Sequence, residues 1–182
     1  MKYIETELPG VWLIEARMIG DARGYFMESF KADEFAAHVG EVHFVQENES
    51  VSRRGVLRGL HFQRGDKSQA KLVRVSRGEV LDVAVDLRRS SPTFGRHIAV
   101  RLSDSNARQL FVPRGFAHGF MVLSEVAQFQ YKVDNVYAPE AEVTLRYDDP
   151  RLGIEWPLLD VEPLLSAKDC EGLSFDTIPL FD

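Results

Sequence analysis

The chain has a single cysteine, Cys170, so no disulfide can form within it. With 182 residues and 45% hydrophobic content, it can bury its apolar surface without such staples. One thiol fits a reducing compartment. No apolar run approaches the ~20 residues that a membrane-spanning helix needs. The opening residues, MKYIETELPG, lack the apolar core of a secretory signal. A soluble, cytoplasmic, single-domain protein spanning residues 1–182 is expected. Gly-x-Gly-x-x-Gly, P-loop and Gly-x-Ser-x-Gly patterns are also absent, which argues against tightly bound NAD, phosphoryl transfer and an activated serine. Cys170 lies in a polar tail with no motif around it.

Histidine is sparse too. The five are His38, His43, His61, His97 and His118. A metal in a small barrel usually takes two histidines one residue apart on a strand, but His61 is followed by Phe62 and Gln63. Ligand spacing for zinc or iron is missing, so no metal and no cofactor are expected.

The net charge of −6 argues against a general affinity for nucleic acid. The charge is unevenly spread. Eight Lys and Arg residues against Asp66 alone give the stretch from Arg53 to Arg77 a local charge of +7. Such a run is either a solvated basic loop or a local site for a small polyanion such as a diphosphate.

Strand signals dominate from about Val56 to Tyr147. Leu81, Val83, Val85 and Leu87 alternate with Asp82, Ala84 and Asp86. Ile98, Val100 and Leu102 form a second such run; Ala127, Phe129, Tyr131 and Val133 form a third. Period-two alternation predicts one face packed inward and the other toward solvent or a partner. Turn-formers separate the runs: Arg77-Gly78, Ser90-Ser91-Pro92, Ser103 to Asn106, and Pro113-Arg114-Gly115. Many short strands at this spacing predict an all-β double-sheet jelly roll. The core is expected over about residues 45–147, with an N-terminal extension (1–44) and a C-terminal flap (148–182). Helix signals are limited to Ala32–Val39, stopped by Gly40, and a short piece near Ser166.

Two clusters can carry chemistry. In Gly55-Val56-Leu57-Arg58-Gly59-Leu60-His61-Phe62-Gln63, a strand puts His61 on one face with Gly59 and Gln63. Glycine there is expected to leave space beside the imidazole, as a pocket requires, although a lone histidine also serves structural roles. In Pro113 to Phe120, His118 lies between Ala117 and Gly119, which suggests close approach by another group. The plainer alternative is a histidine bonded to backbone or to a core carboxylate. Tyr131, on the apolar face of its run, is either a packing residue or a proton donor to a polar cavity. Tyr137 stands in a turn, where its ring could stack on a base.

Taken together, these stretches resemble the dTDP-4-dehydrorhamnose 3,5-epimerase family. Matching segments run from Gly20 to Phe30, Phe44 to Ser50, Gly55 to Gly65, Lys71 to Arg74 and Gly78 to Asp86. They continue through Ser91 to Gly95, Pro113 to Phe120, Phe129 to Tyr137, Trp156-Pro157 and Leu165 to Asp169. The order and spacing of these segments carry the match. The resemblance implies a cupin-type double-stranded β-helix, usually a homodimer, acting without metal or cofactor. The implied partner is a dTDP-linked 4-keto-6-deoxy sugar, epimerised at C3 and C5. A relative inverting one centre, a non-catalytic sugar-nucleotide-binding barrel and a metal-dependent cupin are the competing readings.

The family pattern makes His61 the base, Asp169 the carboxylate behind it, Lys71 the charge near the enolate oxygen and Tyr131 the proton donor from the other face. Arg23, Arg58 and His118 would hold diphosphate and sugar, with Gln46 and Asn48 as neutral partners. Phe26, Glu28 and Tyr137 map onto thymidine and sugar contacts, with Tyr137 stacking on the thymine. Glu142 and Lys168 map onto further contacts. In family members the N-terminal segment can reach a neighbouring subunit's site, so Arg23 and Glu28 are candidates for acting across a dimer interface. This sequence has Gln46-Glu47-Asn48 where Gln-Asp-Asn is more usual. Leu145 to Pro150 also departs from a Trp-Asn-Asp pattern.

Overall fold

The computed structural model describes residues 1–182. Two antiparallel sheets face one another. The six-stranded sheet runs in the order β1 (Lys2–Glu5), β2 (Trp12–Glu15), β10 (Arg108–Val112), β7 (Lys71–Arg77), β12 (Val126–Val133) and β5 (Gln46–Arg53). The five-stranded sheet runs β13 (Glu142–Thr144), β6 (Leu57–Gln63), β11 (Phe116–Val122), β8 (Glu79–Asp86) and β9 (His97–Ser103). A separate hairpin pairs β3 (Ile19–Asp21) with β4 (Gly24–Phe26). The long-range order of the strands makes this the expected all-β, cupin-type jelly roll. β1 and β2 lie before the stretch where alternation is visible, yet both pair into the larger sheet through β10.

Three apolar clusters hold the layers together. The central one draws Val73, Val75, Leu110 and Phe129 from the first sheet and Val80, Ala84, Phe116 and Phe120 from the second, so it fills the barrel. Phe120 and Phe129 stack across it with ring centroids 4.1 Å apart. A second cluster lies on the outer face of the five-stranded sheet, where Leu152, Phe175 and Ile178 of the C-terminal tail cover Leu81, Val83, Val85 and Leu87. A third seats α1 (Ala32–His38) on the outer face of the six-stranded sheet, with Phe35 edge-on to Phe111 at 5.3 Å. α1 ends one residue earlier than expected, and Gly40 follows with φ of 116°. The expected second helix is α2 (Ala167–Cys170), capped by the Ser166 side chain.

The expectation for β8 is corrected by this packing. Its leucine and valine face points away from the barrel, beneath the tail. The barrel face carries Val80, Asp82, Ala84 and Asp86. Neither face meets solvent, and both aspartates are completely buried. The tail supplies a second apolar layer, which periodicity alone does not reveal.

Candidate active site

Between the sheets lies a cavity of about 380 Å³. Arg58, His61 and Gln63 of β6 and His118 of β11 line one wall. Lys71 of β7, Phe129 and Tyr131 of β12, and Gln46 and Asn48 of β5 line the other. Strict alternation would turn Arg58 and His61 to opposite faces, since they are three residues apart. A bulge prevents this: His118 pairs with His61 and Phe120 with Arg58, so β6 carries one extra residue. Gly59 sits in the bulge at φ 115°, and a Cβ there would come within 2.7 Å of the Gly119 Cα. Its missing side chain admits the β11 backbone; it does not open space beside the imidazole, which corrects the expectation. Gly119 is small for the matching reason, as its Cβ would meet the Arg58 carbonyl at 2.5 Å.

His61 Nε2 lies 2.5 Å from Asp169 Oδ1. Asp169 is also held by Ser166 Oγ at 2.6 Å and by the Gly59 N–H at 3.3 Å. Burial opposes the Asp169 charge, but the hydrogen bonds from His61 and Ser166 outweigh it and bring the carboxyl down to about 2. Burial is also the largest influence on His61 and holds it below its usual value; the bond to Asp169 pulls the other way, and Lys168 and Lys71 push it down further. At neutral pH the imidazole is therefore uncharged. Asp169 can only accept, so Nε2 carries the proton and Nδ1 is left as the basic nitrogen.

Lys71 is a cation forced into the barrel. Burial lowers it to about 8, with Asp82 and Glu142 resisting and Lys168 assisting. Burial raises the Tyr131 phenol above its usual range, reinforced by Glu142 and opposed by Arg58 and Asn48, so its proton is retained at neutral pH. His118 Nε2 lies 3.0 Å from each oxygen of Asp82, so the core-carboxylate reading of this histidine and a place on the cavity wall both hold.

The mouth is tied by one carboxylate. Glu142 accepts from Tyr137 Oη at 2.9 Å and from Lys168 Nζ at 2.8 Å. Gln46 bonds Asn48 at 2.8 Å, and its own carbonyl accepts the Tyr137 N–H at 3.2 Å. Of the fourteen sequence candidates, ten line the cavity and Asp169 stands directly behind it. Arg23, Phe26 and Glu28 are not among its lining residues. Arg23 pairs with Asp21 within the hairpin, and Phe26 is 69% exposed. Sequence reasoning missed Asp82 and Ser166; it put Gln63 on the His61 face but gave it no role. Ser166 was detectable as the serine of a Ser-x-x-Asp cap. Of the basic stretch, only Arg58 and Lys71 reach the cavity. No group of three His, Cys, Asp or Glu side chains is close enough to hold a metal ion.

A jelly-roll barrel that sets a histidine–aspartate dyad and a tyrosine on opposite walls of one cavity has the parts of a cupin-type enzyme working by proton transfer. The family model described as dTDP-4-dehydrorhamnose 3,5-epimerase matches residues 5–177, and the chain belongs to that family. The dTDP-4-dehydrorhamnose 3,5-epimerase of Salmonella typhimurium is 52% identical over 97% of this chain and 96% of its own. The Legionella pneumophila dTDP-6-deoxy-D-glucose-3,5-epimerase, solved with dTDP-4-keto-L-rhamnose, superposes with a TM-score of 0.94 at 47% identity, covering 98% of this chain and 94% of its own. The Streptomyces bikiniensis 3'-monoepimerase ChmJ, solved with dTDP-quinovose, gives 0.89 at 36% identity over 94% of this chain and 87% of its own.

Proposed function

We propose that this cavity epimerises dTDP-4-dehydro-6-deoxy-D-glucose at C3 and C5 to dTDP-4-dehydro-L-rhamnose. The observation that carries the proposal is that His61 and Tyr131 line one cavity from different sheets. A 4-keto group acidifies the protons on both neighbouring carbons. Nδ1 of His61 removes one, and Asp169 steadies the imidazolium that forms. The electrons move onto the ketone oxygen, where the Lys71 ammonium stabilises the enolate. The Tyr131 phenol then protonates the carbon from the opposite wall, which inverts it. A single base returning its own proton would restore the starting configuration.

Arg58 and His118 suit the diphosphate, and Tyr137 at the mouth suits stacking on the thymine. The exposed β3–β4 hairpin suits a second copy of the chain, bringing Arg23, Phe26 and Glu28 to its cavity in a homodimer. No helix is long and apolar enough to cross a membrane. The single free thiol, Cys170, suits the reducing cytoplasm we propose for the enzyme.

Proton NMR of the ketosugar in deuterated water tests this reading. Deuterium is expected at both C3 and C5 together with the L-configured product. Uptake at one carbon would make the protein a single-centre epimerase like ChmJ, and uptake at neither would reject the reading.

A further inference from the structure

One buried charge has no part in the reaction above. Asp82 lies on the barrel face of β8 and is completely buried. Its side-chain hydrogen bonds are the two it receives from His118 Nε2, each 3.0 Å long. A carboxylate only accepts, so Nε2 carries the proton. His118 Nδ1 has no protein partner, whereas every fully buried side-chain nitrogen and oxygen has one. Nδ1 is therefore open to the cavity that His118 lines. Lys71, on the facing sheet, lines the same cavity and feels the negative charge of Asp82 more strongly than that of Glu142.

We infer that Asp82 is a positioning residue: it locks His118 with Nε2–H inward and Nδ1 toward the substrate, and it sets a negative charge behind the cavity that Lys71 lines. The inference rests on the reading that the cavity binds a diphosphate-linked ketosugar. A carboxylate buried in a barrel core needs hydrogen-bond partners, and here the His118 imidazole provides them. The arrangement repeats the logic of the His61–Asp169 dyad on the neighbouring strand, but for a group that binds and orients. Lys71 also faces the charges of Glu142 and Lys168, and it shares the cavity with Arg58, His61, His118 and Tyr131.

The test uses Asp82→Asn, with Asp86→Asn as the control. Asp86 is the other fully buried aspartate on this face, held by Arg88, Ser91 and Thr93. Nitrogen-15 NMR of the ligand-free protein, on the alkaline side of the imidazole titration, reads the His118 tautomer. Nε2–H is expected in the wild type and a mixture in Asp82→Asn. Loss of the Asp82 charge is also expected to move the alkaline limb of the rate–pH profile acidward by about one pH unit. kcat/KM at pH 7.5 is expected to fall about tenfold or more. Asp86→Asn is expected to lower stability and leave the limb in place. An Nδ1–H tautomer in the wild type overturns the inference, even if Asp82→Asn fails to fold. So does an unmoved limb in folded Asp82→Asn. Failure of the wild type to exchange either sugar proton would instead remove the epimerase reading, while the His118 tautomer stayed as found.

Discussion

His61 and Asp169 are separated by 108 positions in the chain and by 2.5 Å in space. The imidazole comes from a central strand of the smaller sheet. The carboxylate comes from a one-turn helix in a tail that also roofs that sheet. The dyad is thus assembled only when the tail docks, and the tail docks through Leu152, Phe175 and Ile178.

Asp169→Asn is expected to lower kcat by about 10²–10⁴-fold while leaving the fold intact, because an amide can accept or donate and no longer dictates the imidazole tautomer. In the proposed reaction the neutral imidazole is the working form, so activity is expected to rise with pH through the His61 titration. Burial already places that titration below 6.5, and Asp169 is the partner that pulls it upward. The acid limb of the variant is therefore expected at still lower pH. Initial rates from pH 4.5 to 7 check both outcomes.

Tyr131→Phe separates proton removal from inversion. His61 still takes a proton and, after exchange with solvent, returns deuterium to the same face. The variant is expected to lose net epimerisation by about 10²-fold or more. Isotope uptake with retained configuration is expected to continue. NMR in deuterated water reads the two processes in one tube, and equal loss of both would contradict the assignment.

Lys71 couples function to stability with opposite signs. In the proposed reaction its ammonium is the working form, and burial lowers it to about 8, so the rate is expected to fall as pH rises past 8. The unfolded chain keeps that proton up to about 10.4. Between these values the unfolded state binds more protons, so the cost of burying the charge is present in full below pH 8 and fades above it. Lys71→Met is expected to abolish turnover yet raise the melting temperature, at about 2–4 °C per kcal/mol regained. Calorimetry at pH 7 and at pH 10 checks the sign, because the gain should shrink at the higher pH.

The parts of this site legible from sequence are those that chain neighbours report. His61, Tyr131 and the runs of β9 and β12 show their faces through alternation. The dyad partner does not, since nothing local to Asp169 points to β6; only the likeness to a known family named it. The orientation of β8 was hidden because a sheet face under a tail looks like a sheet face over a core. Bringing Arg58 and His61 to one wall needed a bulge, which a pattern of period two cannot express.

Gly59→Ala tests that bulge. A methyl group there would press on the Gly119 Cα at 2.7 Å and the His118 carbonyl at 2.8 Å, in a backbone region at φ 115° that L residues rarely adopt. Both contacts are backbone and cannot rotate away. A loss of roughly 3 kcal/mol is expected, from strain and overpacking together. Urea unfolding measures it, and Gly40→Ala, at φ 116° with open space around its Cβ, supplies a control for the cost of positive φ alone.

The β3–β4 hairpin makes the sharpest demand for a covering surface, and a second copy of the chain is the proposed one. Ile19, Tyr25 and Phe26 are 58%, 56% and 69% exposed, and neither strand holds a buried residue. A lone two-stranded hairpin is marginal in water, so these side chains call for a covering surface. If that surface is the neighbour's cavity mouth, Arg23 acts in trans. Arg23→Ala and His61→Ala are each expected to be nearly inactive alone. In the proposed homodimer, unfolding and refolding the two together gives heterodimers in which one cavity keeps its own His61 and receives an intact Arg23 from its partner. Restored exchange, in step with the heterodimer fraction measured by light scattering and mass spectrometry, is the expected result. A mixture as inactive as its parts would place Arg23 outside the neighbouring site.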